Sequence, residues 1–507
     1  MWRLALPVFW TNPTKSRFFC IQVEIRRLDD AMNPPAIFPP AKLFKSFLRR
    51  FLGVRISLLF HALAVLTATS GLAQEPGQKQ PLEFGPVRWD HLQAKQATKL
   101  QMFSGEYGPG FLRRPGELTP DTWFHDGHLR IYALLNLGDV VRTCELQRGS
   151  GPVFMFGNAR VPDLLDRLTL TFDGPEFPRA GEEISLRELS SYFNCQGILV
   201  VKHGKVVFEE YPGMDPGQRH HWMSVSKSML NLLMGKLLFE GKLDHSKKVE
   251  DYIPELRGTG YGSFTVQEVS DMNADVNLDE NNFHDPASTF WGFGRSLGWF
   301  NEDGRWNGGV REFVATLRRL EKPSGEAGQR VRYASSSSVV IGWIIEKITG
   351  EPLTETIEKS IWRHIGAVGN ASLSIDKTGF PFVGAACSST LRDLARYGMI
   401  WANRGLAPDG TRIFAEEWMR ENMSGKGPLM RLDYHYRNQS FSNEHAIVHQ
   451  GHSQQMLWVH PASGTIVACF SSMSTPGGGL PWSALAPLRM AETIEHHLRE
   501  KHIAEAP

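Results

Sequence analysis

Ser224 and Lys227 lie three residues apart in Trp222-Met223-Ser224-Val225-Ser226-Lys227-Ser228, just ahead of an apolar run at 230–239 that stops at Gly241. The run reads as a buried helix. Positions three apart share one helix face, so the hydroxyl and the amine meet without help from distant loops. Serine is a weak nucleophile until a neighbouring base takes its proton. An amine is such a base only when uncharged, a state favoured by burial and by nearby positive charge. A helix N-terminus adds unpaired N–H groups and positive potential where an oxyanion would form. The chemistry suggested is nucleophilic attack on a carbonyl. Taken alone the pair is weak evidence, because S-x-x-K arises by chance in long chains and equally describes a solvated helix start.

The elements that must position this pair become legible from residue 184. Ser185 opens a short helix to about residue 193. Residues 197–202 (GILVVK) and 205–211 (KVVFEEY) are apolar runs joined by His203-Gly204, a hairpin signal. Thr265 with Glu268 three residues on is a capping box. Residues 273–310, rich in Asn, Asp, Gly, Phe and Trp, read as a long surface excursion of the kind that walls a pocket. Its Trp291, Phe293, Trp299 and Trp306 suit either a pocket wall or core. Residues 339–348 read as a buried helix ended by Gly350, and 388–398 as a capped amphipathic helix. Residues 455–460 and 465–471 read as a second hairpin, and a helix from Trp482 to about His502 closes the chain. Upstream, 128–135 and 167–172 are expected strands within an N-terminal extension to which no chemistry is assigned. The expected architecture is α/β (α+β): a sheet fed from both ends of one domain, flanked by helices, with a helical subdomain.

Composition narrows the function classes. The chain has 507 residues, 41% hydrophobic and 21% charged, as globular proteins do. A net charge of +1 makes no electrostatic case for nucleic acid or an acidic membrane. The five cysteines are widely spaced, with no C-x-x-C or Cys/His metal spacing, so no metal or cofactor is expected. The four beyond Cys20 permit one or two disulfides without requiring them. Lys42, Lys45, Arg49, Arg50 and Arg55 precede an apolar stretch at 56–73 that ends in small residues, Gly71 and Ala73. Residues 32–73 therefore read as a signal peptide cleaved near Ala73, with Met32 the expected start and 1–31 an upstream misreading. A retained anchor and a core helix are the alternatives; the stretch is marginal for a stable span. A periplasmic or secreted protein is expected, with 74–182 as linker and extension and 183–507 as the main domain. Nothing indicates an oligomeric state.

Two further motifs extend the pattern. Tyr333-Ala334-Ser335 precedes the helix at 339–348, and His449-Gln450-Gly451 immediately precedes the second hairpin. In this order, with Ser224-Val225-Ser226-Lys227, the chain resembles the penicillin-recognising serine hydrolases: class C β-lactamases, D-alanyl-D-alanine peptidases, related esterases and 6-aminohexanoate-dimer hydrolases. The resemblance covers residues 184–500 and is strongest to the 6-aminohexanoate-dimer hydrolase branch, through Ile253-Pro254-Glu255-Leu256-Arg257-Gly258-Thr259-Gly260-Tyr261 and the strand entry at Gln455. It implies a β-lactamase/transpeptidase-like antiparallel sheet and an acyl-enzyme on Ser224. It further implies that Lys227 and Tyr333 share proton transfer and that the backbone N–H groups of Ser224 and His452 form the oxyanion hole. Ser335, His449, Gln450 and Gly451 would contact a small-molecule amide or ester.

Two departures matter. Ser335 stands where the family pattern has asparagine, and His449 where it has the lysine of K-T-G. Losing that lysine shifts the expectation from β-lactams towards esters and linear amides. A β-lactamase or D-alanyl-D-alanine carboxypeptidase remains an alternative, as does a catalytically silent binding module. Lys377-Thr378-Gly379 spells K-T-G literally, but lies upstream and runs into Phe380-Pro381-Phe382, so it reads as a turn. His220-His221 are expected in a loop or pocket wall. His449 and His452, three apart on an extended chain, face opposite sides and make no metal pair.

Overall fold

The computed structural model describes residues 116–504 apart from 126, 173–180, 281, 283–284, 322–330 and 474–480. All of them belong to the unit Leu82–Pro507. The signal-peptide reading at 32–73 falls outside the described residues.

The strands β1 (Gly157–Asn158), β2 (Cys195–Lys202), β3 (Lys205–Glu210), β4 (Leu429–Arg431), β5 (Tyr434–Arg437), β6 (Ser440–Ser442), β7 (Ile447–Gly451), β8 (Gln455–His460) and β9 (Thr465–Ser471) form a nine-stranded sheet. Its order is β4-β5-β6-β7-β8-β9-β2-β3-β1, antiparallel throughout except that β1 runs parallel to β3. The two ends of the domain meet where β9 pairs with β2, Thr465 opposite Lys202. The β2–β3 turn uses His203 (φ 46°) and Gly204 (φ 70°), the left-handed pair that a two-residue hairpin needs.

Five helices matter most: α1 (Leu186–Tyr192), α2 (Ser228–Phe239), α3 (Ser336–Thr349), α4 (Leu391–Ala402) and α5 (Pro481–Glu500). Successive side chains of a strand leave opposite faces, so continuous apolar runs need a cover on each side. On one face Leu199, Val201, Leu457, Ile466 and Ala468 share a core with Leu394 and Ala395 of α4. On the other, Ile198, Val200, Met456, Trp458 and Val467 pack with Leu189 of α1 and Ala491 and Ile494 of α5. The helical subdomain lies between β3 and β4 in the chain. There α2 is buried along nearly its whole length, and α3 ends at Gly350 in the left-handed conformation (φ 70°).

A second, four-stranded sheet orders Thr143–Leu146, Ala371–Ser374, Cys387–Ser389 and His220–His221. His221 pairs with Ser388, and the Trp222 N–H donates to the Cys387 carbonyl at 2.8 Å. This sheet pins the backbone two residues before Ser224.

Two expectations change. Residues 128–135 lie in a helix, Gly127–Leu135, not a strand. Leucine, alanine and arginine dominate there and favour helix, and Arg130, Tyr132, Ala133 and Leu134 are all buried, which does not alternate. At 167–172 only Thr169–Thr171 is strand, preceded by the helical turn Leu164–Arg167. Cys144, Cys195, Cys387 and Cys469 are all free thiols. The literal K-T-G is a turn: Asp376 accepts from the Thr378 N–H at 2.7 Å, and Gly379 has φ 85°. Among the described residues no helix is long and apolar enough to cross a membrane.

The junction of α4 with the extension rests on a buried ion pair. Arg396 Nη1 and Asp393 Oδ1 are 2.7 Å apart with side chains 2% and 1% exposed. Asp393 also accepts from the Val368 N–H at 2.9 Å, and Arg396 donates to the Phe154 carbonyl at 2.9 Å. Asp393→Ala leaves the guanidinium buried without its partner and should lower unfolding free energy by about 3–5 kcal/mol in urea titrations. A loss below about 1 kcal/mol would contradict this account of the junction.

Candidate active site

Met223–Lys227 forms a 3₁₀ turn that runs straight into α2 at Ser228. With three residues per turn, side chains at i and i+3 eclipse. Ser224 and Lys227 are therefore stacked more directly than on an α-helix, with Lys227 Nζ 3.0 Å from Ser224 Oγ. The amine is 1% exposed. It also donates to Ser335 Oγ at 3.1 Å and to the Gly384 carbonyl at 2.7 Å. Met223, immediately before Ser224, has φ 49°, a left-handed conformation costing roughly 1–2 kcal/mol for a non-glycine residue. Fully buried packing of Met223 holds it there.

The end of β7 runs against this turn. A Cβ on Gly451 would lie 2.6 Å from the Trp222 carbonyl oxygen and 3.0 Å from the Ser224 nitrogen, so only glycine permits the approach. His452 follows, and Ser453 (φ 61°) and Gln454 (φ 68°) turn the chain back into β8. Gln450, Gly451 and His452 all line the cleft. Burial pushes the His452 imidazole down to about 3, helped by Arg130 and His125.

The cleft holds about 690 Å³. Its apolar wall includes Phe290, Phe293, Trp299 and Phe300 from the excursion, with Phe382 and Phe441. Trp291 and Trp306 are not among its lining residues; Trp291 stacks on His125 at 5.0 Å and Trp306 meets Phe313 edge-on. Phe124 of the N-terminal extension completes the wall, and its neighbour Trp123 donates to the Trp299 carbonyl at 2.9 Å. The extension was expected to carry no chemistry, and its place in the wall has no motif that would announce it.

The structure brings Ser224, Lys227 and Ser335 into direct contact and Tyr333 beside them. Tyr333 presents its ring: Lys227 Nζ sits 4.8 Å from the ring centroid, a cation–π arrangement. Among the described residues its hydroxyl makes no hydrogen bond to Ser224 or Lys227.

A carboxylate that sequence reasoning missed also lies here. Glu280 accepts from the Ser335 backbone N–H and, at 3.2 Å, from the Ser335 hydroxyl. Burial pushes its carboxyl up, opposed by the Lys227 charge and the two Ser335 bonds. It sits in a polar stretch, Asp279-Glu280-Asn281, with no spacing to mark it.

His449 is a correction. It was expected at the substrate, but it is 2% exposed, is not a lining residue of the cleft, and packs on Trp401 of α4 at 5.0 Å between ring centroids. Among the described residues neither ring nitrogen has a hydrogen-bond partner, and burial pushes the imidazole down to about 3. His220 and His221 are likewise wholly buried in a short strand, not in a pocket wall. His220 pairs with Gln196 at 2.7 Å and His221 with Ser388 at 3.1 Å. Among the described residues no cluster of three or more His, Cys, Asp or Glu is arranged to hold a metal.

An antiparallel sheet between helical layers, with a serine and a buried lysine at a strand end, defines the class to which known proteins can be compared. The Beta-lactamase family profile matches residues 196–482, more than half of the chain. A 6-aminohexanoate-dimer hydrolase from Paenarthrobacter ureafaciens is 31% identical over 376 residues, covering 71% of this chain and 90% of that protein. A solved Bacillus anthracis structure, named as a presumptive 6-aminohexanoate-dimer hydrolase, superposes with a TM-score of 0.65 at 23% identity, covering 76% of this chain and 98% of that one. The chain belongs to the beta-lactamase family of hydrolases, within the penicillin-recognising superfamily, and has 6-aminohexanoate-dimer hydrolases as relatives in sequence and fold.

The placement of His449 is testable. Its imidazole is lowered from 6.5 to about 3 in the folded chain, so the unfolded chain takes the proton first as pH falls. The stability this withholds is intact above about pH 6.5 and drains away towards about pH 3. His449→Phe should make the acid limb of the melting temperature shallower while leaving turnover near wild type. Collapse of activity in a variant with unchanged melting would place the imidazole in the chemistry instead.

Proposed function

We propose that the chain is a serine hydrolase that cleaves an amide or ester bond through an acyl-enzyme on Ser224. The observation that carries this reading is the 3.0 Å contact between Ser224 Oγ, which lines the cleft, and the buried Lys227 Nζ. In the uncharged amine the contact runs from the Ser224 O–H to the nitrogen lone pair, while the bonds to Ser335 and Gly384 hold the amine still. Lys227 takes the proton as Ser224 attacks the carbonyl, then hands it to the leaving nitrogen or oxygen. The N–H groups of Ser224 and His452 are the proposed oxyanion donors; the tight approach of Gly451 to the Ser224 nitrogen supports bringing them together. Tyr333, whose ring lies against the amine, is the proposed partner in that proton transfer. Water then resolves the acyl-enzyme.

The substrate we favour is a slender, mainly apolar amide or ester. The aromatic wall and the volume suit such a chain. The name of the Paenarthrobacter relative points to linear amides of an amino acid. With His449 in the core, the residue at the lysine position of K-T-G offers no cation to a substrate carboxylate, which argues against β-lactams.

A panel of p-nitrophenyl butyrate, a linear 6-aminohexanoate amide and nitrocefin tests the reading against wild type and Ser224→Ala. Turnover of the ester or amide should fall by about 10⁴-fold or more in the variant, and fluorophosphonate labelling should vanish. Equal labelling of both proteins would end the assignment, and nitrocefin as the best substrate would move it to β-lactams.

A further inference from the structure

We propose that Glu280 is the proton store for Lys227, exchanging a proton with it through the Ser335 hydroxyl, so that the amine facing Ser224 becomes uncharged without releasing a proton to water. The inference rests on Ser224 being the nucleophile. The path is continuous: Lys227 Nζ to Ser335 Oγ is 3.1 Å, and Ser335 Oγ to Glu280 Oε2 is 3.2 Å. The Ser335 backbone N–H holds the other carboxylate oxygen, so the acceptor cannot swing away.

The exchange balances. An N–H bond at Lys227 breaks as an O–H bond forms at Ser335 Oγ, while the original Ser335 O–H breaks and an O–H bond forms at Glu280 Oε2. A positive and a negative charge become two neutral groups, and a turn of the amine about its Cε–Nζ bond carries the freed lone pair from Ser335 to the Ser224 O–H. Desolvation disfavours charges, so the site's burial favours the neutral side, and burial also pushes the Glu280 carboxyl up. Other titratable groups nearby do not replace Glu280. Tyr261 is pushed to about 12 by burial and bonds Ser336 and Ser337. The Tyr436 phenol is pushed well up by burial, and among the described residues its hydroxyl has no partner. Asp279 and Arg332 line the cleft, and Arg332 Nε bonds the Val276 carbonyl; Tyr333 covers the amine with its ring. The relay also gives Ser335 a reason to stand where the family pattern has asparagine. One hydroxyl oxygen accepts and donates at once, whereas an amide passes a proton only by tautomerising.

The test is the pH dependence of kcat/KM for p-nitrophenyl butyrate in wild type, Glu280→Gln and Ser335→Ala. Because the shared proton stays within the pair, the wild-type profile should be flat from about pH 6 to about pH 9. In Glu280→Gln the amine must give its proton to solvent, and the rate should rise about tenfold per pH unit over that range. Ser335→Ala removes the relay atom and should lose the plateau too; it carries the test if the glutamine variant does not fold. A plateau kept in either folded variant, or a loss equal at every pH, overturns the proposal. Wild-type turnover that survives Ser224→Ala unchanged would instead overturn the hydrolase reading, so the two failures are distinguishable.

Discussion

An amine withdrawn from water needs its hydrogen bonds replaced, and Lys227 has this need met by groups from three separate segments. Ser224 comes from its own turn, Ser335 from the residue before α3, and Gly384 from the stretch leading to the Cys387–Ser389 strand. An unsatisfied buried amine would cost several kcal/mol, so these segments are tied to one another through a single nitrogen. The second sheet, the α3 N-terminus and the 3₁₀ turn can each be understood as holding one acceptor in place. The strained backbone at Met223 belongs to the same arrangement, since it turns the serine towards the cleft while its own side chain stays in the core.

The cleft is a composite of segments far apart in the chain. Phe124 from the extension, Phe290, Phe293, Trp299 and Phe300 from the excursion and Phe441 from β6 line the same cleft as Ser224. Polar groups, Glu280, Gln450 and Ser335, line that cleft together with the rings. Apolar walls around polar groups strengthen electrostatic interactions inside a pocket and leave apolar surface for a ligand. The extension is thus part of the functional unit: Trp123 bonds the Trp299 backbone, and β1 adds an edge strand to the main sheet.

Much of the framework was legible because it is local. The hairpins announce themselves by apolar runs around turn residues, and the helices by Ser185, Thr265 and Thr390, each of which accepts a backbone N–H at its N-cap. The helix at 127–135 was misread because a short apolar run does not separate helix from strand by period alone. His449 was misplaced for a related reason. Neighbouring residues on a strand face opposite ways, and the pattern does not say which face of β7 meets the cleft. Glu280 and Phe124 were invisible, each lying in a stretch whose partners are distant in sequence.

What the amino-acid order determined by itself was whatever depends on a few consecutive residues: the Ser224–Lys227 stacking, the glycine at 451 that lets a strand end approach a backbone, and the family these motifs mark. What only tertiary structure decided was which groups surround the amine. Ser335, Glu280 and the Tyr333 ring reach it across separations of about fifty to more than a hundred residues, with Ser335 at |i−j| = 108. Spacing along a helix is set by fixed backbone geometry, whereas contacts between segments are set by how the whole core packs, and that is a property of no single stretch.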